Sequence, residues 1–281
     1  MLTTVALNTW EWDPSLFSGS AAYYTRGRLA YPKTLADALA AELHLDGSGR
    51  LLDVGCGPGS LTLPLAALFE QAIGLDADRD MIDEAGRLAA QAGISNTRWL
   101  CLRGEDLPAG LGSFRLISFA QSFHWMDRPR VAAAVRGMLD PAGACVHVHA
   151  TTHQGAEGGD ALPHPRPPHS SIAELVRSHL GPVRRAGRSL LPQGTVAGEA
   201  DIYRAAGFTG PRRIEVPGRV VTRVTDDIVA AVFSLSSSAP HLFGERRAEF
   251  EAELRRLLHS ASPSGVFSER TREIAIDIWR P

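Results

Sequence analysis

"LLDVGCGPGS", residues 51–60, decides the fold. An apolar run carrying one acid passes straight into Gly55, Gly57 and Gly59. Glycines placed directly after a strand let the backbone turn sharply and let a ligand approach where a Cβ would stand. The helix expected to open near Gly59-Ser60 offers free N–H groups and a positive dipole end. The stretch therefore reads as a nucleotide-type turn.

The spacing narrows the nucleotide. A dinucleotide fingerprint is G-x-G-x-x-G, pressed against a pyrophosphate. Here the pattern is G-x-G-x-G, and Ser60 stands where the third glycine of that fingerprint falls. A phosphate loop needs a Gly-Lys-Ser/Thr ending, and none is present. Asp53 beside the turn repels a polyphosphate and suits a ligand with an ammonium or sulfonium group. Asp76 ends the next apolar run, "IGLDADRDMI", where an acid accepts hydrogen bonds from ribose hydroxyls. A ribose, a cationic part and no pyrophosphate describe S-adenosylmethionine.

Outward from the turn, strand and helix signals alternate through residues 33–150. "PKTLADALAAELHL", "SLTLPLAALFE", "RDMIDEAGRLAAQAG" and "RPRVAAAVRGMLD" read as helices. "RLLDVG", "QAIGLDA", "NTRWLCLRG", "FRLISFAQ" and "GACVHVHAT" read as strands. This alternation means right-handed crossovers and a parallel sheet. Most of the strands are continuous apolar runs, as expected when helices cover both faces. Ligands of such sheets bind at the carboxyl ends of the strands.

The texture changes at residue 151. "TTHQGAEGGDALPHPRPPHSS" has no period and reads as a long loop. Ser171 and Glu174 form a capping-box pattern for "SIAELVRSHLG". "EADIYRAAG", "DDIVAAVFSLSS" and "ERRAEFEAELRRLLHS" read as helices, "RRIEVPGRVVT" and "REIAIDIWRP" as strands. The expected organisation is an N-terminal arm (1–32), a cofactor-binding core (33–150), an insertion or lid (151–200), and the last strands of the core with lid helices (201–281). "FSLSSSAPHLFGE" is the expected lining of the acceptor pocket, through Phe233, His241 and Phe243.

The chain resembles the class I S-adenosylmethionine-dependent methyltransferases of the small-molecule group. "LLDVGCGPGSLTLPLA" is similar to that family's first motif and "IGLDADRDMI" to its second, with Ala77 and Met81 following the acid. "GEDLP" resembles the loop bordering the adenine, with Glu105 and Asp106 as candidates for its amino group. "AQSFHWMD" resembles the end of the fourth strand, where cofactor and acceptor meet, placing Gln121, His124 and Trp125 there. "YYTRGRLAYP" is similar to the segment that closes over the cofactor, with Tyr24 against it and Arg26 toward the methionine carboxylate. The resemblance implies an α/β, Rossmann-like, seven-stranded, mostly parallel sheet with helices on both faces, its last strand antiparallel, plus a largely helical lid. It implies S-adenosyl-L-methionine as cofactor, held by Asp53, Gly55, Cys56, Gly57, Gly59 and Asp76 among others. The expected reaction moves a methyl group to O, N or C of a small-molecule acceptor. The fourth strand lacks the Asn/Asp-Pro-Pro-aromatic motif of amino-directed nucleic-acid methyltransferases. The rival readings are an NAD(P)-binding oxidoreductase and a non-catalytic S-adenosylmethionine-binding protein.

The bulk numbers agree with this reading. The 281 residues carry 29 basic and 31 acidic side chains, a net charge of −2, so neither nucleic acid nor an anionic membrane is expected as partner. Cys56, Cys101 and Cys145 are too dispersed for a disulfide framework or a metal set and read as reduced, mostly buried thiols. His147, His149, His153, His164 and His169 have no accompanying acidic motif, and no metal is expected. Arg184, Arg185, Arg188, Arg212 and Arg213 read as surface charge. The N-terminal stretch lacks a basic segment followed by an apolar core, so a cytoplasmic monomer or homodimer is expected.

Overall fold

The computed structural model describes residues 13–158, 161–183, 185–186, 189–190 and 198–281. Arg184 and Arg188, and part of the expected 151–200 lid, lie outside the described residues.

The chain opens with α1 (Ala21–Gly27) and α2 (Lys33–Leu43), then enters β1 (Arg50–Val54). The glycine turn leads to α3 (Thr62–Leu65), which tightens into a 3₁₀ turn at Ala66–Leu68 before β2 (Gln71–Asp76). This helix is shorter than "SLTLPLAALFE" suggested, and Phe69 already has extended dihedrals. Next come α4 (Arg79–Gln91), β3 (Thr97–Cys101), β4 (Phe114–Ala120), α5 (Arg128–Arg136) and β5 (Leu139–His149). Two of these helices start on aspartate caps. Asp78 accepts from the N–H groups of Asp80 and Met81, and Asp127 from that of Arg130.

The second half carries α6 (His169–Leu180), the two-residue strands β6 (Arg185–Ala186) and β7 (Ser189–Leu190), and α7 (Glu199–Ala205). It continues through β8 (Thr209–Val216), β9 (Val220–Val224), α8 (Thr225–Phe233), α9 (Arg247–Ala261), β10 (Val266–Arg270) and β11 (Ile274–Arg280). Two local expectations fail. Helix α6 begins at His169 without a side-chain cap, so Ser171 lies inside its first turn. Pro168 at the cap sets the entry instead. The run "RRIEVPGRVVT" is two strands, split at Pro217-Gly218. There a Cβ on Gly218 would stand 2.0 Å from the Thr271 carbonyl oxygen.

Seven strands form the main sheet in the order β3-β2-β1-β4-β5-β11-β8. The strands β1 to β5 are parallel, and β11 runs antiparallel between β5 and β8. Strand order reverses at β1, with β2 on one side and β4 on the other. Ligands of open α/β sheets bind at such a switch. Alternation along β1 feeds two cores. Leu52 and Val54 join Phe119, Phe123, Tyr203 and Trp279 on one face. Leu51 joins Leu39, Leu65 and Val146 on the other. A third cluster, around Phe233, Phe243, Phe250 and Leu254, packs α6, α8 and α9 together beside the sheet.

Candidate functional site

At the switch point lies a cavity of about 550 Å³, walled by the glycine turn, the ends of β2 and β4, and the arm from Tyr24 to Tyr31. The turn is built by left-handed backbone. Gly55, Gly57 and Gly59 have φ of 70°, 55° and 79°. Their reasons for being glycine differ. A Cβ on Gly55 would stand 2.4 Å from the Ser122 Cβ, and one on Gly59 2.7 Å from the Trp99 ring. A Cβ on Gly57 meets nothing within 4 Å, so this residue presents bare backbone to open space. The N–H groups of Gly55 and Cys56 both donate to the Leu75 carbonyl and bind the turn to β2.

Asp76 stands beside that turn. Its Oδ2 accepts from Gly57 N–H at 2.8 Å and its Oδ1 from Asp78 N–H at 2.9 Å. Burial pushes its carboxyl up to about 6, against the opposing pull of those two N–H groups. Each oxygen keeps a second lone pair. Asp53 is 1 % exposed, and both its oxygens are taken, by Ser118 Oγ at 2.8 Å and Thr62 Oγ1 at 2.6 Å. Burial also raises its carboxyl above the ordinary value. Asp53 therefore serves as a buried, fully hydrogen-bonded carboxyl that holds α3 to β4. Burial drives the Cys56 thiol well above its ordinary range, so it is a neutral wall.

The walls hold several of the sequence candidates. Ala77, Met81, Glu105, Gln121, Tyr24 and Trp125 line the cavity. Glu105 is committed inward: its Oε1 accepts from Asp127 N–H at 2.8 Å, and Oε2 faces Arg103 at 3.5 Å. Gln121 follows β4 with φ 59°, an uncommon conformation for a non-glycine residue, and donates to the Val148 carbonyl.

Others lie elsewhere. Asp106 is exposed and outside the lining, because the 3₁₀ turn at Gly104–Asp106 buries only its first two residues. His124 stands behind Trp125, ring to ring at 4.8 Å, and not on the cavity wall. Arg26 turns away to Asp226 and Asp227 on α8. Phe233 and Phe243 are buried in the third cluster, and His241 is exposed against the Ser18 carbonyl. The helices α8 and α9 need those aromatic rings as core, so they do not line this cavity.

Arg28, which the sequence reading passed over, lies on the wall in place of Arg26. Helix α1 ends at Gly27 and Arg28 is extended, which sends the two arginines in different directions. The Arg28 guanidinium covers the Tyr24 ring at 4.7 Å and donates to Thr152 Oγ1 and the Ser234 carbonyl. Its buried Nε has no hydrogen-bond partner among the described residues. Phe17, Thr152 and Trp99 were also missed. Phe17 packs edge-on to both Tyr24 and Trp125. Trp99 fills the space that Gly59 and Gly74 vacate. An aromatic residue in β3 facing a glycine in β2 was the available signal.

The remaining candidates resolve into ion pairs. His149 Nε2 lies 3.0 Å from Asp277, which also takes a two-pronged bond from Arg213. Arg212 pairs with Glu42. Burial, with His149 alongside, drives His147 down to about 3, so it is neutral. Among the described residues no group of three or more His, Cys, Asp or Glu side chains could hold a metal ion. The three cysteines are free. No helix of the described residues is long and apolar enough to cross a membrane.

Residues 51–143 match the family model for the methyltransferase domain. An uncharacterized methyltransferase of Mycobacterium tuberculosis is 32 % identical over 132 residues, 47 % of this chain and 51 % of that protein. An uncharacterized methyltransferase of Schizosaccharomyces pombe is 32 % identical over 132 residues, 45 % and 49 % of the two chains. The chain thus spans about half the length of these curated relatives. The crystal structure of the YcgJ protein from Bacillus subtilis shares the fold, at TM-score 0.50 and 18 % identity over 89 % of this chain and 99 % of that one. Residues 51–143 are thus a methyltransferase domain, on a fold shared with YcgJ, and S-adenosylmethionine is the cofactor of the class that this domain resembles. The dinucleotide-dependent oxidoreductase reading is not favoured.

Proposed function

We propose that this protein transfers a methyl group from S-adenosylmethionine to O, N or C of a small-molecule acceptor held under the arm. The observation that carries the reading is the convergence on one cavity of the open Gly57 backbone, the half-occupied Asp76 carboxylate and the Arg28 side chain. The residues fit the cofactor group by group. Asp76 takes the two ribose hydroxyls on its free lone pairs. Met81, Leu102, Gly104 and Glu105, all on the cavity wall, border the adenine. Arg28, on the cavity wall, takes the methionine carboxylate.

When bound, the cofactor supplies an electrophilic methyl group on a sulfonium, open to direct displacement. The chain's part is alignment and exclusion of water, which can supply much of the rate of such a reaction. Phe17, Tyr24 and Trp125 form the apolar wall against which an acceptor lies. Gln121 offers its backbone and amide at the rim of β4. His124 acts by holding Trp125. A nucleic-acid acceptor is disfavoured by the net charge of −2, although one relative over 86 residues is a mouse tRNA (uracil-5-)-methyltransferase homolog. A homocysteine-release screen across hydroxyl, amine, carboxylate and carbon acids, with wild type and Trp125→Ala, tests the reading. Turnover on a small acceptor that falls in the variant supports it. Turnover on RNA alone contradicts it.

A further inference from the structure

A second cavity, of about 360 Å³, lies between α6 and α8 and shares no lining residue with the first. Its volume is within the roughly 300–1,000 Å³ of small-molecule sites. The walls are aliphatic: Ile172, Val176 and Leu180 from α6 face Ile228, Val232 and Leu235. No Phe, Tyr or Trp ring lines it among the described residues, which suits a flexible hydrocarbon over a flat one. Its ionisable lining is His153, His169 and Arg177, with no aspartate or glutamate among the described residues. The Arg177 guanidinium is exposed at the rim and has no ion-pair partner among those residues.

This cavity abuts a buried ion pair that reaches the cofactor arm. Glu269, 2 % exposed, accepts from Arg223 at 2.9 Å, from Gly155 N–H at 2.6 Å, and faces His169 Nε2 at 3.0 Å. Burial opposes its ionisation, but those donors hold its carboxyl down to about 2. Arg223, 5 % exposed, donates in turn to the Gly27 carbonyl of the arm at 2.6 Å and the His153 carbonyl at 3.2 Å. Helix α8 is a shared wall as well. Ala231 lines the second cavity, and Gly27 lies so flat on α8 that a Cβ would stand 2.4 Å from the backbone at Ala230–Ala231.

We infer that the cavity between α6 and α8 binds an aliphatic carboxylate, with its chain among the α6 and α8 side chains and its charge at Arg177. Occupancy is felt at the cofactor site through His153, His169 and the Arg223–Glu269 pair. The binding half stands on its own; the coupling half rests on the methyltransferase reading.

The test is calorimetric titration of octanoate, octanol and octylamine into the whole protein, with and without saturating S-adenosylhomocysteine. Octanoate is expected to bind in both cases, about tenfold tighter than the other two. Arg177→Gln brings octanoate to the octanol level, and Ala173→Trp, at an exposed lining position, blocks all three. S-adenosylhomocysteine affinity is expected to change about threefold or more when octanoate is bound. Absence of binding, equal binding of the three probes, insensitivity to both variants, or displacement of octanoate by S-adenosylhomocysteine overturns the site. An unchanged S-adenosylhomocysteine affinity overturns the coupling. Failure of wild type to bind S-adenosylhomocysteine counts against the methyltransferase reading alone, because octanoate is still titrated without it.

Discussion

At the scale of residues, the glycine turn and Asp76 make the sharpest claims. Gly55→Ala puts a Cβ on Ser122 at a left-handed φ and is expected to cost about 1–3 kcal/mol in a urea melt. The two neighbouring arginines separate cleanly. Arg28→Met is expected to raise the Michaelis constant for S-adenosylmethionine about tenfold, through a lost charged hydrogen bond. Arg26→Met is expected to leave it within about twofold, its ion pairs being on the surface. The pH dependence follows from Asp76. Hydroxyl donors favour its carboxylate form, so bound cofactor lowers the raised pKa. Cofactor affinity is then full above about 6 and falls as pH drops through that value. Titrations from pH 5 to 8 read it directly, and an affinity flat across that range refutes the role given to Asp76.

At the scale of elements, the arm depends on α8, and α8 on the third cluster. Ser20 Oγ donates to the Phe233 carbonyl, the Tyr23 and Phe233 rings lie 5.1 Å apart, and Arg28 bonds the Ser234 carbonyl. Leu254→Ala, fully buried in that cluster, is expected to lower stability by about 2–5 kcal/mol, measured by thermal or urea unfolding. The parallel half of the sheet was legible because most of its strands are continuous apolar runs that alternate with helical stretches such as "RDMIDEAGRLAAQAG". The break at Pro217-Gly218 was not, because alternation continues across it on both sides. The roles of Phe233 and Phe243 were not either. An aromatic residue in a helix reads the same whether it faces a ligand or another ring, and only packing against Phe250 decides it. Arg28 was hidden by a helix end at Gly27 that shifts direction within two residues.

At the scale of the whole molecule, strand order concentrates function at one edge. The reversal at β1 opens the crevice, the β2 and β4 ends border it, and the arm covers it. The same sheet sets acid stability on its other flank. His147 is buried between β5 and α7 with its pKa pushed down to about 3, below the ordinary value near 6.5. The unfolded chain therefore binds that proton first, and stability is lost as pH falls below about 6.5 toward 3. His147→Gln is expected to flatten this acid-side loss in urea melts between pH 4 and 7; an unchanged slope refutes it. The central claim is that Asp76 and the glycine turn hold S-adenosylmethionine. Calorimetric titration of wild type and Asp76→Ala with S-adenosylmethionine, S-adenosylhomocysteine and NADH tests it most directly. The account predicts micromolar binding of both sulfur ligands, lost in the folded variant, and none of NADH. Tight NADH binding, or sulfur-ligand binding that survives Asp76→Ala unchanged, would contradict it.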